Sequence, residues 1–166
     1  MKKKETICNT IALDTATKTG YAIYQNGRIV KSGTWKFTEK NRYKNLYKNL
    51  SDAVTKYKIE QIVAEDIYKD PAKQPVENVL RELRGIIMLV EQQFELQHTS
   101  FINPMAIKRH LTGSDTASKT AMIKAVKKLG YTLKNDKADD EADAIALMTV
   151  HMERYGALLI HPAKPQ

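Results

Sequence analysis

Residues 11–24 read IALDTATKTGYAIY. An apolar run stops at the carboxylate of Asp14, turns through small and hydroxylated residues, and becomes apolar again from Tyr21. A carboxylate at the tip of a buried strand is expensive unless something pairs with it, so Asp14 calls for a structural partner or a metal. Upstream, TICN (6–9) continues the apolar strand and carries Cys8 into it. Downstream, Asn26-Gly27 is a strong two-residue hairpin signal that leads into RIVKSGTW (28–35). Three consecutive strands therefore open the chain as an antiparallel meander.

Beyond them, Tyr43, Leu46, Tyr47, Leu50, Val54 and Tyr57 fall at helical spacing, which predicts an amphipathic helix over 41–57. QIVAED (61–66) is a short buried strand ending on Glu65 and Asp66. A loop containing Pro71 and Pro75 follows, then a long helix from about Val76 to Leu96. HTSFIN (98–103) is the last strand, and helical patterns cover about 104–111, 118–129 and 138–155. An order of three strands, helix, strand, helix, strand and then helices builds an α/β fold. Its sheet has five strands and is mixed, an antiparallel meander plus parallel strands, flanked by helices. That is the ribonuclease H-like arrangement, and a fold by itself specifies no chemistry. No repeat or linker divides residues 1–166, which read as a single domain.

Asp14 ends the first strand and Glu65 the fourth, so neighbouring strands would bring the two carboxylates together. A third acidic source is NDKADDEADAIALMTVH (135–151), in which Asp140 and Asp143 share one helix face. Taken singly, each acid has an ordinary reading. Asp14 caps a turn, and the acids of Asp136–Asp143 form a solvated helix start favoured by the macrodipole. Taken together they are four oxygen donors from three separated segments, the ligand type that Mg²⁺ and Mn²⁺ prefer. Two such ions about 4 Å apart hold both the attacking and the leaving oxygens of a phosphodiester displacement.

These motifs resemble the RuvC family of Holliday junction resolvases, particularly its compact phage-borne versions. ALDTATKTGYAI is similar to the family's first strand and turn, with Asp14, Thr19, Gly20 and Tyr21 in place. Thr15 and Ala16 stand where proline and glycine are usual. AEDIY matches the second acidic motif, and DDEADAIAL the D-x-x-D-A-[LI]-A signature. The signature selects Asp140 and Asp143 over Asp139 and Glu141, which spacing leaves open. In some members the fourth acidic position is histidine.

The resemblance implies a metal-dependent endodeoxyribonuclease with two Mg²⁺ per site, replaceable by Mn²⁺, that resolves four-way junctions by paired symmetric cuts leaving 5'-phosphate ends. It implies Asp14, Glu65, Asp140 and Asp143 as metal ligands, and Lys108 and Lys119 as lysines that contact or polarise the scissile phosphate. It also implies Tyr68 as an aromatic that stacks on an unpaired base, a contact worth about 1–3 kcal/mol.

In the helix at 76–96, Val79, Leu83, Ile86, Val90 and Phe94 form one stripe, while Leu80, Ile87, Met88 and Leu89 widen it. A stripe wider than one core requires predicts a second burial face, and a homodimer supplies one. At least part of Ile87, Met88 and Leu89 should then face the partner.

Composition sets the frame for these readings. With 27 Lys plus Arg against 19 Asp plus Glu, the net charge of +8 favours polyanionic partners, nucleic acid first. The longest strictly apolar run, IIMLV (86–90), is far too short for a membrane span. The basic MKKKE start lacks a following apolar core and cleavage pattern, so no signal peptide is expected. Cys8 is the only cysteine, which excludes an internal disulfide and fits a reducing cytoplasm, that of a host cell if the chain is phage-encoded. His98, His110, His151 and His161 lack metal-ligand spacing. Lys40, Lys44, Lys48, Lys56 and Lys58 read as a solvated face.

Actin-like ATPases and sugar kinases share the opening strand and turn, but they need a second phosphate loop that is missing here. The remaining alternatives are a broader flap or fork nuclease using the same acids, and a non-catalytic basic DNA-binding module. A binding module gains nothing from four carboxylates facing phosphate.

Overall fold

The 11–24 stretch folds back on itself in the computed structural model, which describes residues 8–16, 18–68, 74–134 and 138–154. Strand β1 (Thr10–Asp14) runs antiparallel to β2 (Lys18–Gln25), with Asp14 opposite Gly20. Asn26 and Gly27 both take positive φ (52° and 83°), the primed-turn geometry that suits the strand twist. They deliver β3 (Arg28–Lys36) antiparallel to β2. Helix α1 (Arg42–Tyr57) ends where Lys58 turns left-handed. It feeds β4 (Gln61–Glu65), parallel to β1, and α2 (Gln74–Gln93) leads to β5 (Gln97–Ile102), parallel to β4. The sheet order is β3-β2-β1-β4-β5, the expected mixed sheet.

Strand alternation divides the core in two. Ile11, Leu13, Ile23, Ile62 and Ala64 pack with Leu50, Val54, Ile87 and Val90 of α1 and α2. On the other face Ala12, Ala22, Tyr24 and Val63 pack with α3 (Pro104–Thr112), α4 (Lys119–Lys128) and above all α5 (Asp139–Arg154). Helix α5 is buried almost all round from Ala142 to Met152. Small residues in the strands beneath it let it lie close. The tightest approach is at Gly20, where an added Cβ would stand 1.8 Å from the carbonyl oxygen of Asp140.

Several boundaries differ from expectation. Strand β1 begins at Thr10, and Cys8 lies half-buried ahead of it, its Sγ accepting from Nε2 of Gln97 at 3.1 Å. Helix α2 starts at Gln74, with Pro75 in the first turn where its missing N–H is harmless. It stops at Gln93, short of Leu96, because Glu95 turns left-handed and the amide of Leu96 bonds back to the carbonyl of Glu91. Ile87 is wholly buried and belongs to the core stripe, correcting its placement on the wider face. Met88 and Leu89 are the exposed members, at 41% and 50%. Pro71, Asp136, Tyr155 and His161 lie outside the described residues.

Gly20→Ala should therefore push the start of α5 off the sheet. We expect a loss of about 3 kcal/mol in urea unfolding, at the upper end for overpacking because backbone, not a pliable side chain, is in the way. An unchanged midpoint would mean that α5 tolerates a displaced first turn.

Candidate active site

Leu13 pairs with Ala64, so the residues that follow them, Asp14 and Glu65, end neighbouring parallel strands. Both share the strand parity of Ala12 and Val63 and so face α5. The first turn of α5, seated on Gly20, adds Asp140 and Asp143 one turn apart. Electrostatics places all four in one site. Burial holds the Asp14 carboxyl well above the usual range, and the charges of Glu65, Asp143, Asp140 and Asp139 push it the same way. Burial, then Asp143, raises Glu65 to about 7 against the opposing pull of Lys108. Burial, then Asp139, raises Asp143 to about 6, with Lys108 and Lys119 opposing. Asp140 is raised by burial and by Asp139.

The neighbouring acids are occupied elsewhere. Asp139 pairs with Nζ of Lys119, which holds its carboxyl below the usual range. Glu141 is buried on the far side of the helix, accepting from Oγ of Ser32 at 2.7 Å and from the amide of Lys134 at 3.5 Å. Asp66 has the opposite strand parity from Glu65 and accepts from Nη1 of Arg84 at 2.8 Å. Glu141 and Asp66 are thus turned away from the other acids, whereas Asp139, although paired with Lys119, still presses on Asp14, Asp140 and Asp143.

Lys108, on α3, is half-buried and its charge reaches both Glu65 and Asp143. Lys119 opens α4 behind the Ser118 cap, whose Oγ accepts from the amide of Ala121. Tyr68, three residues beyond Glu65, is exposed. The described histidines are engaged outside the acid group: His98 with Glu91, His110 with Glu153, and buried His151 with Gln61.

The donor set suits a hard divalent cation: four carboxylates whose burial disfavours ionisation, with Asp14, Glu65 and Asp143 raised further by others of the group. Among the described residues no three of them close into a ready-made coordination shell.

Comparison with known proteins adds the lineage. The family model described as crossover junction endodeoxyribonuclease RuvC matches residues 13–151. The chain belongs to the RuvC family. It is similar to the crossover junction endodeoxyribonuclease RuvC of Fusobacterium nucleatum, at 28% identity over 142 residues, covering 86% of this chain and 73% of that one. It is also similar to that of Brachyspira hyodysenteriae, at 27% over 139 residues, covering 84% and 83%.

Among solved structures, T. thermophilus RuvC in complex with Holliday junction substrate superposes with a TM-score of 0.69 at 17% identity, over 90% of this chain and 97% of that one. The yeast mitochondrial Holliday junction resolvase gives 0.62 at 13%, over 91% and 80%. These likenesses carry the fold, the ribonuclease H-like sheet of the RuvC resolvases. Among the described residues no helix is long and apolar enough to cross a membrane.

On this RuvC frame, three features escaped sequence reasoning. Gly20 was visible as a motif glycine, but its role in admitting the Asp140 carbonyl needs the docked helix. The Lys119–Asp139 pair spans 20 residues and two helices. The grip of Arg84 on Asp66 crosses from α2 to the end of β4. No local pattern announces either pair.

Because folding raises these carboxyl pKa values, the folded protein holds more protons than the unfolded chain between the ordinary carboxylate range and about pH 7. Stability is lost as pH rises through that window and stays lost above it. Asp14→Asn removes one of the repelling charges. In metal-free buffer it should unfold at higher urea than the parent at pH 8, by on the order of 1–3 kcal/mol, with the gain vanishing near pH 4. A gain equal at both pH values would mean that charge is not its source.

Proposed function

We propose that this chain is a metal-dependent, structure-selective endonuclease that resolves four-way DNA junctions by paired symmetric cuts leaving 5'-phosphate ends. The observation that carries this reading is the convergence of four carboxylates from β1, β4 and α5 in a protein of net charge +8. Membership of the RuvC family supports the nuclease chemistry, and a relative solved with Holliday junction substrate supports the branched substrate.

Asp14, Glu65, Asp140 and Asp143 would hold two Mg²⁺, with Mn²⁺ able to replace them. Ions of this kind, when bound, supply charge neutralisation at the phosphate and an activated water. Lys108 and Lys119 place positive charge beside the same carboxylates, where negative charge grows on the phosphate oxygens in the transition state. Lys119 is shared with Asp139 in the free protein and is drawn towards the phosphate when DNA arrives. Tyr68 offers an exposed ring for a base unstacked at the branch point. A cytoplasmic location, that of a host cell if the chain is phage-encoded, fits a DNA substrate.

Two matched cuts suit a two-fold protein, and α2 offers the surface for one. Gly85, Met88 and Leu89 share its outer face, and a Cβ on Gly85 would meet nothing within 4 Å. A mid-helix glycine costs about 1 kcal/mol relative to alanine, and a second helix packed closely against that face would justify it. A monomeric enzyme would favour the alternative of forks and flaps, which need one cut.

Asp14→Asn, Glu65→Gln and Asp140→Asn should each abolish Mg²⁺-dependent cutting of a labelled junction while leaving binding intact, because affinity comes from Lys and Arg contacts to phosphate. Asp143→Asn should retain partial activity. Lys108→Met and Lys119→Met should slow single-turnover cutting by ~10²-fold or more, beyond any loss of affinity. Wild-type cutting by any of the first three would remove that residue from the site.

Leu89→Asp should give a folded monomer by light scattering that nicks a junction once, since a buried unpaired charge costs the dimer several kcal/mol. Ile87→Asp should unfold the protein. A wild-type monomer at micromolar concentration, with and without junction, would defeat the dimer.

A further inference from the structure

Glu65 and Asp66 are adjacent in sequence and point to opposite faces of the sheet. Glu65 faces the other acids, while Asp66 faces α2 and is held there from three directions. Its amide donates to the carbonyl of Ile102 at 2.8 Å, the last rung joining the ends of β4 and β5. Its Oδ1 accepts from the amide of Ile67 at 2.9 Å, closing a local turn. The same oxygen accepts from Nη1 of Arg84, whose guanidinium lies 3.6 Å from the centre of the Phe101 ring. Phe101 itself pairs with Ala64, the residue before Glu65. Arg84 leaves a helix fixed in the core by Leu83 and Ile87, so its position is rigidly given.

We infer that Arg84 is a positioning residue for the reaction. By gripping Asp66 and stacking on Phe101, it fixes the end of β4, and so sets where Glu65 presents its carboxylate. The pair is half-exposed, with side chains 36% and 45% accessible. An ion pair so open to water adds little to global stability. Its effect lies in direction: a planar guanidinium held on a ring and a carboxylate has one orientation, which a lysine does not reproduce. Groups hydrogen-bonded directly to a metal ligand typically change metal affinity by about 10–100-fold when removed, and a residue acting one step further back belongs at the lower end of that range. This inference rests on the proposed reading of Glu65 as a ligand, so its test must separate the two.

The test compares Arg84→Gln, Arg84→Lys, Asp66→Asn, the Arg84→Gln/Asp66→Asn double variant and Glu65→Gln. Mn²⁺ binding is measured calorimetrically on full-length protein without DNA, amide hydrogen exchange is followed at residues 65–68, and junction affinity is measured in EDTA. We expect Arg84→Gln and Asp66→Asn each to weaken Mn²⁺ binding about tenfold and to speed exchange at 66–68. Junction affinity and the unfolding temperature should barely move. The double variant should be no worse than either single change, and Arg84→Lys should fall between.

Unchanged Mn²⁺ affinity in Arg84→Gln, with Glu65→Gln losing it, would overturn the inference. So would a loss of junction affinity in EDTA with a shallower salt dependence, which would make Arg84 a phosphate contact. Additive effects in the double variant would overturn it as well. If Glu65→Gln keeps its Mn²⁺ while exchange at 66–68 still rises in Arg84→Gln, the ligand reading of Glu65 falls and the anchoring of β4 by Arg84 stands.

Discussion

Mutual repulsion among buried carboxylates is the constraint on which this structure turns. Asp14 suffers both from burial and from four neighbouring charges of its own sign, and nothing on β1 relieves it. The fold tolerates the cluster by assembling it from ends. Two strand tips and one helix start keep the acids at the rim of the sheet. The N-terminal dipole of α5 favours Asp140 and Asp143 in its first turns. Lys108 and Lys119 add partial compensation from α3 and α4. This compensation leaves Glu65 raised to about 7, so the protein alone does not neutralise its own site. A site that stays uncompensated in the free protein is one in which a divalent cation gains most.

The pleat then divides the work between the two faces of the sheet. Odd and even positions of β1 and β4 alternate between the α1–α2 layer and the α5 layer, so Asp14 and Glu65 reach the α5 side together. That side has Ala12, Ala22 and Gly20 under the helix, and the close approach they permit carries Asp140 and Asp143 within range. The opposite side carries the larger residues Ile11, Leu13, Ile23 and Ile62, which seat α1 and α2. Helix α2 turns its remaining face outwards with Gly85, Met88 and Leu89. The candidate site and the proposed dimer face thus lie on opposite layers, joined at the end of β4, where consecutive residues face each way.

Much of this was legible in residues 11–24 and their counterparts. Among the described residues, periodicity located the five strands and five α-helices, though not the short 3-10 turn at Glu39–Asn41, because apolar spacing follows directly from which face is buried. The acids at strand tips were visible because an apolar run ending on a carboxylate is unusual. What spacing could not do was choose between adjacent acids. Asp139 and Asp140 are equivalent on paper and differ only in what faces them. Motif resemblance made that choice, and in the structure Asp139 is paired with Lys119, Glu141 with Ser32 and Asp66 with Arg84. The misplacement of Ile87 has a similar cause. A helix packed against both a sheet and a neighbouring helix buries a broad arc, so the edge of its stripe depends on how α1 and α2 cross.

The charge pattern gives the last step. A chain of net +8 attracts DNA over a long range, yet its candidate site gathers negative charge that repels phosphate. Both conditions hold if the cations that bind DNA and those that act on the scissile phosphate are different groups on different elements. In the proposed reading Lys108 and Lys119 meet the second need. They project from α3 and α4, outside the three segments that carry the acids, and each is close enough to lower the pKa of Asp143. Placed on β1, β4 or α5 they would pair permanently with the acids and cancel them. Placed on separate helices they compensate in part, and Lys119 remains tied to Asp139, which the four-acid set does not need. In that reading the site keeps its negative charge for a cation and its lysines for the phosphate, an allocation that follows from which helix bears which sign.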